Sequence, residues 1–356
     1  MYKGKLLLLS LLPPLFLTGC WDKKDPEDRA FILTLGVDPS AEGCRFTFAP
    51  ANTGEGEART YTAESETLAG AVAQIDGQMS RKTDLGQLKT VIFSGELLED
   101  SQKLDGILQE LERSQTVSEK VMLLATTDQA ADCTEAVLAA DSKTGTFLWD
   151  FYKNTAGEVA VTKGVDLDTF LTEWTEQSGN GVLPRISVEE EKLELGGGVA
   201  VTQNRIYPLS NAEERGYLFL LGEAEGALLE AVYEGETLPV EIGKSEVSYD
   251  FAAEDTEILC SVTLPLEGTL QGGEGMFLSE QKREQIERIF EERIREEIEH
   301  TIKIAGRAKK DLFGILPRIY RKEPVMTEGI SEEALWQALR FEIWPELELK
   351  DMGRKR

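Results

Sequence analysis

The chain has 356 residues, with 38 Lys and Arg against 65 Asp and Glu, a net charge of −27. Such a surface repels phosphate backbones and excludes nucleic acid as a partner, while 41% hydrophobic residues suffice for two or three cores. Four cysteines without a C-x-x-C suggest neither a zinc site nor a disulfide framework.

Lys3 and Lys5 precede an apolar run over residues 6–17, LLLLSLLPPLFL. A spanning helix takes about 20 apolar residues, and Pro13 and Pro14 would break one here. A positive start, a short apolar core and small residues at its end read as a secretory signal peptide over 1–19. It closes on Leu17-Thr18-Gly19-Cys20, which resembles a bacterial lipobox. The resemblance implies a diacylglyceryl group on the Cys20 sulfur, cleavage before Cys20, and room for an N-acyl chain such as palmitate on the freed amine. A thiolate is the nucleophile such a transfer needs. Removing residues 1–19 removes two lysines and no acid, which leaves a net charge of about −29. Anionic headgroups repel such a body, and no polybasic patch or second long apolar run holds it down. Acyl chains must do the holding, and stable anchoring takes more than one. The expected place is the extracytoplasmic face of a membrane.

AFILTLGVD (30–38) and CRFTFAPA (44–51) read as strands joined by a turn containing Pro39 and Gly43. Thr67 is an N-cap for a helix whose Leu68, Val72, Ile75 and Met79 share one face. LKTVIFSG (88–95) is a buried strand. A second helix follows with Leu104, Ile107, Leu108 and Leu111 inward, then the strand KVMLLATT (120–127) and a third helix from about Asp128. This alternation predicts a small mixed α/β unit. Residues 144–178 are mainly helical, with Phe170, Leu171 and Trp174 on one side. Near Pro184 the pattern turns to strands, and YLFLLGE (217–223) continues it, so 184–270 is predicted nearly free of helix. A long helix spans 279–310, with Ile286, Phe290, Ile294, Ile298 and Ile302 as its inner stripe. Glu284–Arg288, Glu291–Arg295 and Glu299–Lys303 are i,i+4 pairs on its flanks. A last helix turn and a strand fill 338–349. The expected class is α+β and multi-domain, with mixed and antiparallel sheets, packed helices and that one long helix. The division is a signal peptide (1–19), an N-terminal α/β region of two subdomains (20–183) and a C-terminal α+β domain (184–350).

Few residues suggest chemistry. His300 lies on the charged helix with no nucleophile or metal shell beside it in sequence, and a base needs a partner in reach. Cys44, Cys133 and Cys260 are far apart and read as core thiols, of which at most one pair could join. No calcium loop is present, and no catalytic or metal-ligating set is predicted. Gly196-Gly197-Gly198 lacks the following Lys-Ser/Thr of a phosphate loop, and a bent or closely approached strand explains it better. Ser279-x-x-Lys282, Ser178-Gly179-Asn180 and Lys143-Thr144-Gly145 match short motifs of penicillin-binding proteins, but in reversed order, as chance allows in a chain this long.

Gly19-Cys20-Trp21-Asp22, then Ala30-Phe31 and Leu35-Gly36-Val37-Asp38, resemble the opening of the Ger(x)C family, the lipoprotein C subunits of spore nutrient-germinant receptors. LKTVIFSGELL, LELGGGVAVTQNRIYPLS, Asp311-Leu312-Phe313-Gly314 and EIWPELEL are similar to later family segments in the same order. Three positions depart from the pattern: Gln87 stands near a frequent histidine, Val201-Thr202 replaces a phenylalanine, and Ile315-Leu316-Pro317 lacks a glycine. The resemblance implies a non-enzymatic protein of three mixed domains, held by its lipid on the outer face of the inner spore membrane. It implies partners, the integral-membrane A and B subunits, and a role in starting germination in response to small nutrients. A substrate-binding lipoprotein of a transporter is the alternative. Its lobes should each repeat βαβ units around a switch point, and a helix-free 184–270 counts against that.

Overall fold

The computed structural model describes residues 26–51, 59–140, 146–155, 162–176, 179–190, 192–254, 257–271 and 279–350. Cys20, the lipobox residues Leu17, Thr18 and Gly19, and Trp21 and Asp22 lie outside them. So do Ser178 and Lys143-Thr144-Gly145. Among the described residues no helix is long and apolar enough to cross a membrane.

The chain is α+β, built on two sheets. The first has nine strands: β1 (Arg29–Ser40), β2 (Gly43–Pro50), β3 (Tyr61–Ser65), β4 (Lys82–Asp84), β5 (Thr90–Ser94), β6 (Met122–Thr126), β7 (Gly181–Glu189), β8 (Lys192–Thr202) and β9 (Arg205–Leu209). Their order is β3-β2-β1-β5-β6-β7-β8-β9, with β4 beside the start of β1. Pairing is parallel from β1 through β5 and β6 to β7, and antiparallel at both ends. Helices connect the parallel strands, as parallel pairing requires. They are α1 (Leu68–Asp76), α2 (Ser101–Arg113), α3 (Ala130–Ala140) and α4 (Leu167–Glu176). The Thr67 hydroxyl caps α1 by accepting from the Gly70 amide, as its sequence position predicts. In α2 the predicted Leu104, Ile107, Leu108 and Leu111 are the buried residues. Met79 falls outside α1, which ends at Asp76.

This sheet runs on past Pro184 as far as Leu209, and the second sheet begins only after it. The second sheet holds β10 (Leu228–Tyr233), β11 (Glu236–Ser245), β12 (Ser248–Glu254), β13 (Glu257–Leu270) and β14 (Leu339–Leu349). The strand YLFLLGE predicted at 217–223 is instead part of a helix, α5 (Asn211–Leu221), so 184–270 is not helix-free. An apolar run of five cannot tell a strand from a helix buried on all sides, and α5 is such a helix: Tyr217, Leu218, Phe219 and Leu220 are all buried. Its start carries a capping box in which Ser210 and Glu213 bond reciprocally, and Gly222 closes it in the left-handed region at φ 75°.

The long helix α6 (Glu280–Ala308) lies on the second sheet. Of its predicted stripe, Ile286, Phe290, Ile294 and Ile298 are buried and Ile302 is half-buried. Two of its flanking pairs form, Glu284–Arg288 and Glu299–Lys303, each at 3.9 Å. The third does not. Glu291 accepts from the Leu347 amide at 3.0 Å, and Arg295 donates Nε to the Ile343 carbonyl at 3.2 Å while pairing with Glu292. Glu287 accepts from the Leu349 amide at 2.9 Å, and Arg283 donates to its carbonyl. These side chains serve β14, whose only strand partner among the described residues is β13. Short helices follow α6, among them α7 (Leu316–Lys322) and α8 (Glu332–Ala338).

Candidate functional site

The family-pattern residues inside the described structure do local work on the backbone. Gly36 and Asp38 stand on one face of β1, under α3. A Cβ at Gly36 would lie 2.3 Å from Thr134 Oγ1 and 2.8 Å from the Ala130 carbonyl oxygen, so only glycine lets α3 sit this close. Asp38, two residues on, meets the start of the same helix. Its Oδ1 accepts from the Ala130 amide at 2.7 Å and its Oδ2 from the Ala131 amide at 3.0 Å. Those amides have no partner within the helix, and a carboxylate there also meets the positive end of the helix dipole. Leu-Gly-Val-Asp is thus a helix seat: a gap, then an anchor.

Asp311-Leu312-Phe313-Gly314 is a second such device. Asp311 is buried and accepts from the Phe313 amide at 3.2 Å and the Leu316 amide at 2.6 Å, which caps α7. Burial raises its carboxyl above the usual range, although those amides and Arg318 act against the rise. Phe313 packs on Tyr217 with ring centroids 5.4 Å apart, tying the segment to α5. Gly314 turns at φ 67°, a region that favours glycine.

The third concentration of polar groups lies where α5 meets β8 and the segment before α4, and no sequence motif marks it. Gly198 again lets a helix approach: a Cβ there would lie 2.1 Å from Glu214 Oε2. Gly197 next to it takes φ 67°, so the triple glycine is a bent, closely approached strand, as its sequence suggests. Glu214 is 1% exposed. Its Oε1 accepts from the Thr162 hydroxyl at 3.3 Å, and the Lys163 amide donates to the same carboxyl group. Its Oε2 is buried without a partner, and so is the Tyr152 hydroxyl nearby. Burial pushes the Glu214 carboxyl up to about 7, against the pull of Thr162, Lys163 and Arg185. The Lys163 ammonium is turned elsewhere, to Glu223 at 3.4 Å and Glu173 at 3.8 Å. On its other side α5 is fixed to α6: Arg215 Nε donates to Glu297 at 2.8 Å, and Gly216 lies against the Glu297 carbonyl and Thr301.

A groove of about 980 Å³ opens between α1, α2 and β4, over Leu68, Val72 and Leu85. Asp28 and Arg29 line one end, and Arg29 pairs with Asp84. At Gly106 an added Cβ would meet open space.

Among the described residues, those that could carry covalent chemistry are not brought together. Ser279 caps α6 by accepting from the Lys282 amide at 3.3 Å, and the Lys282 ammonium pairs with Glu234 at 3.3 Å. His300 is exposed on α6. Cys44, Cys133 and Cys260 are free and buried. Burial pushes the Cys133 thiol to about 11 and that of Cys260 to about 12, far from thiolate at neutral pH. No cluster of metal-ligating side chains occurs among the described residues.

Residues 22–188 match the family described as the spore germination protein N-terminal domain. Residues 197–353 match the family described as spore germination B3/GerAC like, C-terminal. Spore germination protein GerQC of Bacillus cereus is 26% identical over 194 residues, 53% of each chain, so the alignment spans about half that relative's length. Spore germination protein KC of Bacillus subtilis (strain 168) is 22% identical over 380 residues, 93% of this chain and 90% of that one. The crystal structure of the GerBC protein has the same fold, with a TM-score of 0.60 at 16% identity over 89% of this chain and 97% of that one.

Proposed function

This chain belongs to the Ger(x)C family of spore germination proteins, and from that premise we propose that it is the lipid-anchored, non-enzymatic C subunit of a nutrient germinant receptor. It acts beside integral-membrane A and B subunits on the outer face of the inner spore membrane. The observation that carries this reading is the ordered pair of family matches, which together run from residue 22 to residue 353. The first begins two residues after Cys20, where lipidation and cleavage would start the mature chain.

The anchor gives the groove a direction. Asp28 stands eight residues after Cys20. A fully extended chain spans at most about 3.3–3.6 Å per residue, so the lip of the groove lies within about 30 Å of the lipid. That distance brings the groove within reach of membrane-embedded partners.

Spores lacking the gene test the function, with calcium dipicolinate as a bypass of the receptors. Loss of the nutrient response with an intact bypass is the expected result, and normal responses to both would count against a receptor role. The anchor has its own test. Cys20→Ala should leave the body folded but move it out of the detergent-rich phase on phase partitioning. A variant that stays there would end the lipid-anchor account.

A further inference from the structure

Glu214 sits at the seam between the two bodies, which the Lys163–Glu223 ion pair also bridges. α5 carries it into the first body, where its neighbours come from three elements. Tyr152 faces it from the turn at Phe151–Thr155, Thr162 and Lys163 from the segment before α4, and Arg185 from β7. Tyr217 lies one turn further along α5. Of these, Thr162 donates its hydroxyl and Lys163 its amide, while Arg185 gives Nε to the Gly196 carbonyl at 3.3 Å. Lys163 is committed through its ammonium to Glu173 and Glu223. One oxygen of Glu214 therefore has donors, and the other is pressed against Gly198 with none. A carboxylate has about four acceptor sites to fill, and a buried, half-satisfied one is costly.

We propose that the charge of Glu214 gates the seam between the two bodies: the neutral carboxyl seats α5 on β8, and loss of its proton loosens that seat. The other face of α5 would not follow, because Arg215 and Glu297 pair there as opposite charges and the helices touch at Gly216. The second body then leaves with α5, and the seam opens between α5 and the β8–Thr162 side. The direction with pH follows from proton binding. In the unfolded chain Glu214 ionises near 4.5, whereas burial in the fold moves it to about 7. Between those values the folded state holds the proton that the unfolded state has lost. The seat is thus full at low pH, weakens as pH rises through that window, and is lost above about 7. The inference stands on this chain's own geometry and holds or fails independently of the receptor role.

The test uses the full chain in detergent and compares wild type with Glu214→Gln, an uncharged variant of the same shape. Amide hydrogen exchange, corrected for its intrinsic pH dependence, is followed in α5, β8 and the residues around Thr162. Wild-type protection there should fall by about tenfold per pH unit between about 4.5 and 7 and level off above that, and the variant should hold its protection throughout. Amides at the start of α3 serve as the internal reference. Equal pH profiles for the two proteins would overturn the proposal. Should Glu214→Gln not fold, infrared difference spectra of the wild type decide. A buried carboxylic-acid band present at pH 6 and lost through about 7, where the protection levels off, supports the gate, and no such band at pH 6 overturns it.

Discussion

Two helices rest on the first sheet by the same contrivance and end in opposite electrostatic conditions. α3 sits over Gly36 and α5 over Gly198, each at a distance that a side chain at the glycine would forbid. Each seat also contains a buried carboxyl group. At α3 it belongs to the strand, and both oxygens of Asp38 accept amides that the helix cannot satisfy itself. At α5 it belongs to the helix, and one oxygen of Glu214 accepts nothing. What differs is not burial but completeness of hydrogen bonding, and that decides whether a buried acid fastens a contact or makes it conditional.

The largest expected effect is Gly36→Val. Its new atoms would strike the α3 backbone, which cannot swing aside as a side chain tip can, so a loss of about 3 kcal/mol or more is expected. A thermal melt near the wild-type value would mean that α3 is seated by something else. Asp38→Ala comes next. It strips two charge-assisted bonds from a helix start and should cost roughly 2–4 kcal/mol in denaturant unfolding. A cost under 1 kcal/mol would erase the contrast between the two seats. The third prediction sharpens it. Gly198→Ala should destabilise the wild type by about 1–3 kcal/mol, yet be nearly neutral in a Glu214→Ala background, because the obstacle at Gly198 is the Glu214 side chain. Additive costs in that cycle would show the glycine answering to the backbone instead. The smallest effect is Thr162→Val, which removes a hydroxyl from Glu214 Oε1. It should cost about 1 kcal/mol at pH 6, where the seat is closed, and less at pH 8, where the seat is already loosened. Equal costs at the two pH values would contradict a change in the charge of Glu214.

The two seats were not equally readable from sequence. Leu35-Gly36-Val37-Asp38 stood out by resemblance, and glycine and aspartate two residues apart on a strand necessarily share a face. That this face carries α3 is a long-range fact no local pattern holds. Glu214 could not stand out among 65 acids, and its helix was misread because apolar contacts surround it. Ser210-x-x-Glu213 was the available clue, a capping signal that outweighs the apolar run after it. The Gly196-Gly197-Gly198 bend was legible as a close approach, although not what approached. Periodicity served best where one face meets solvent, as in α2 and α6. It failed for Glu291 and Arg295, whose spacing suits an ion pair but whose true partners lie some fifty residues further along, on β14.

Those contacts from α6 have a consequence for how copies of the chain meet. An outermost strand with idle amides and carbonyls is a template onto which another chain can add, and from which aggregates grow. Here Glu287 and Glu291 occupy the amides of Leu349 and Leu347, and Arg283 and Arg295 occupy the carbonyls of Leu349 and Ile343. The acidic and basic flank of a long helix thus works as a guard rail. It guards the Ile343–Leu349 stretch of this border against strand exchange even where neighbouring copies are crowded side by side.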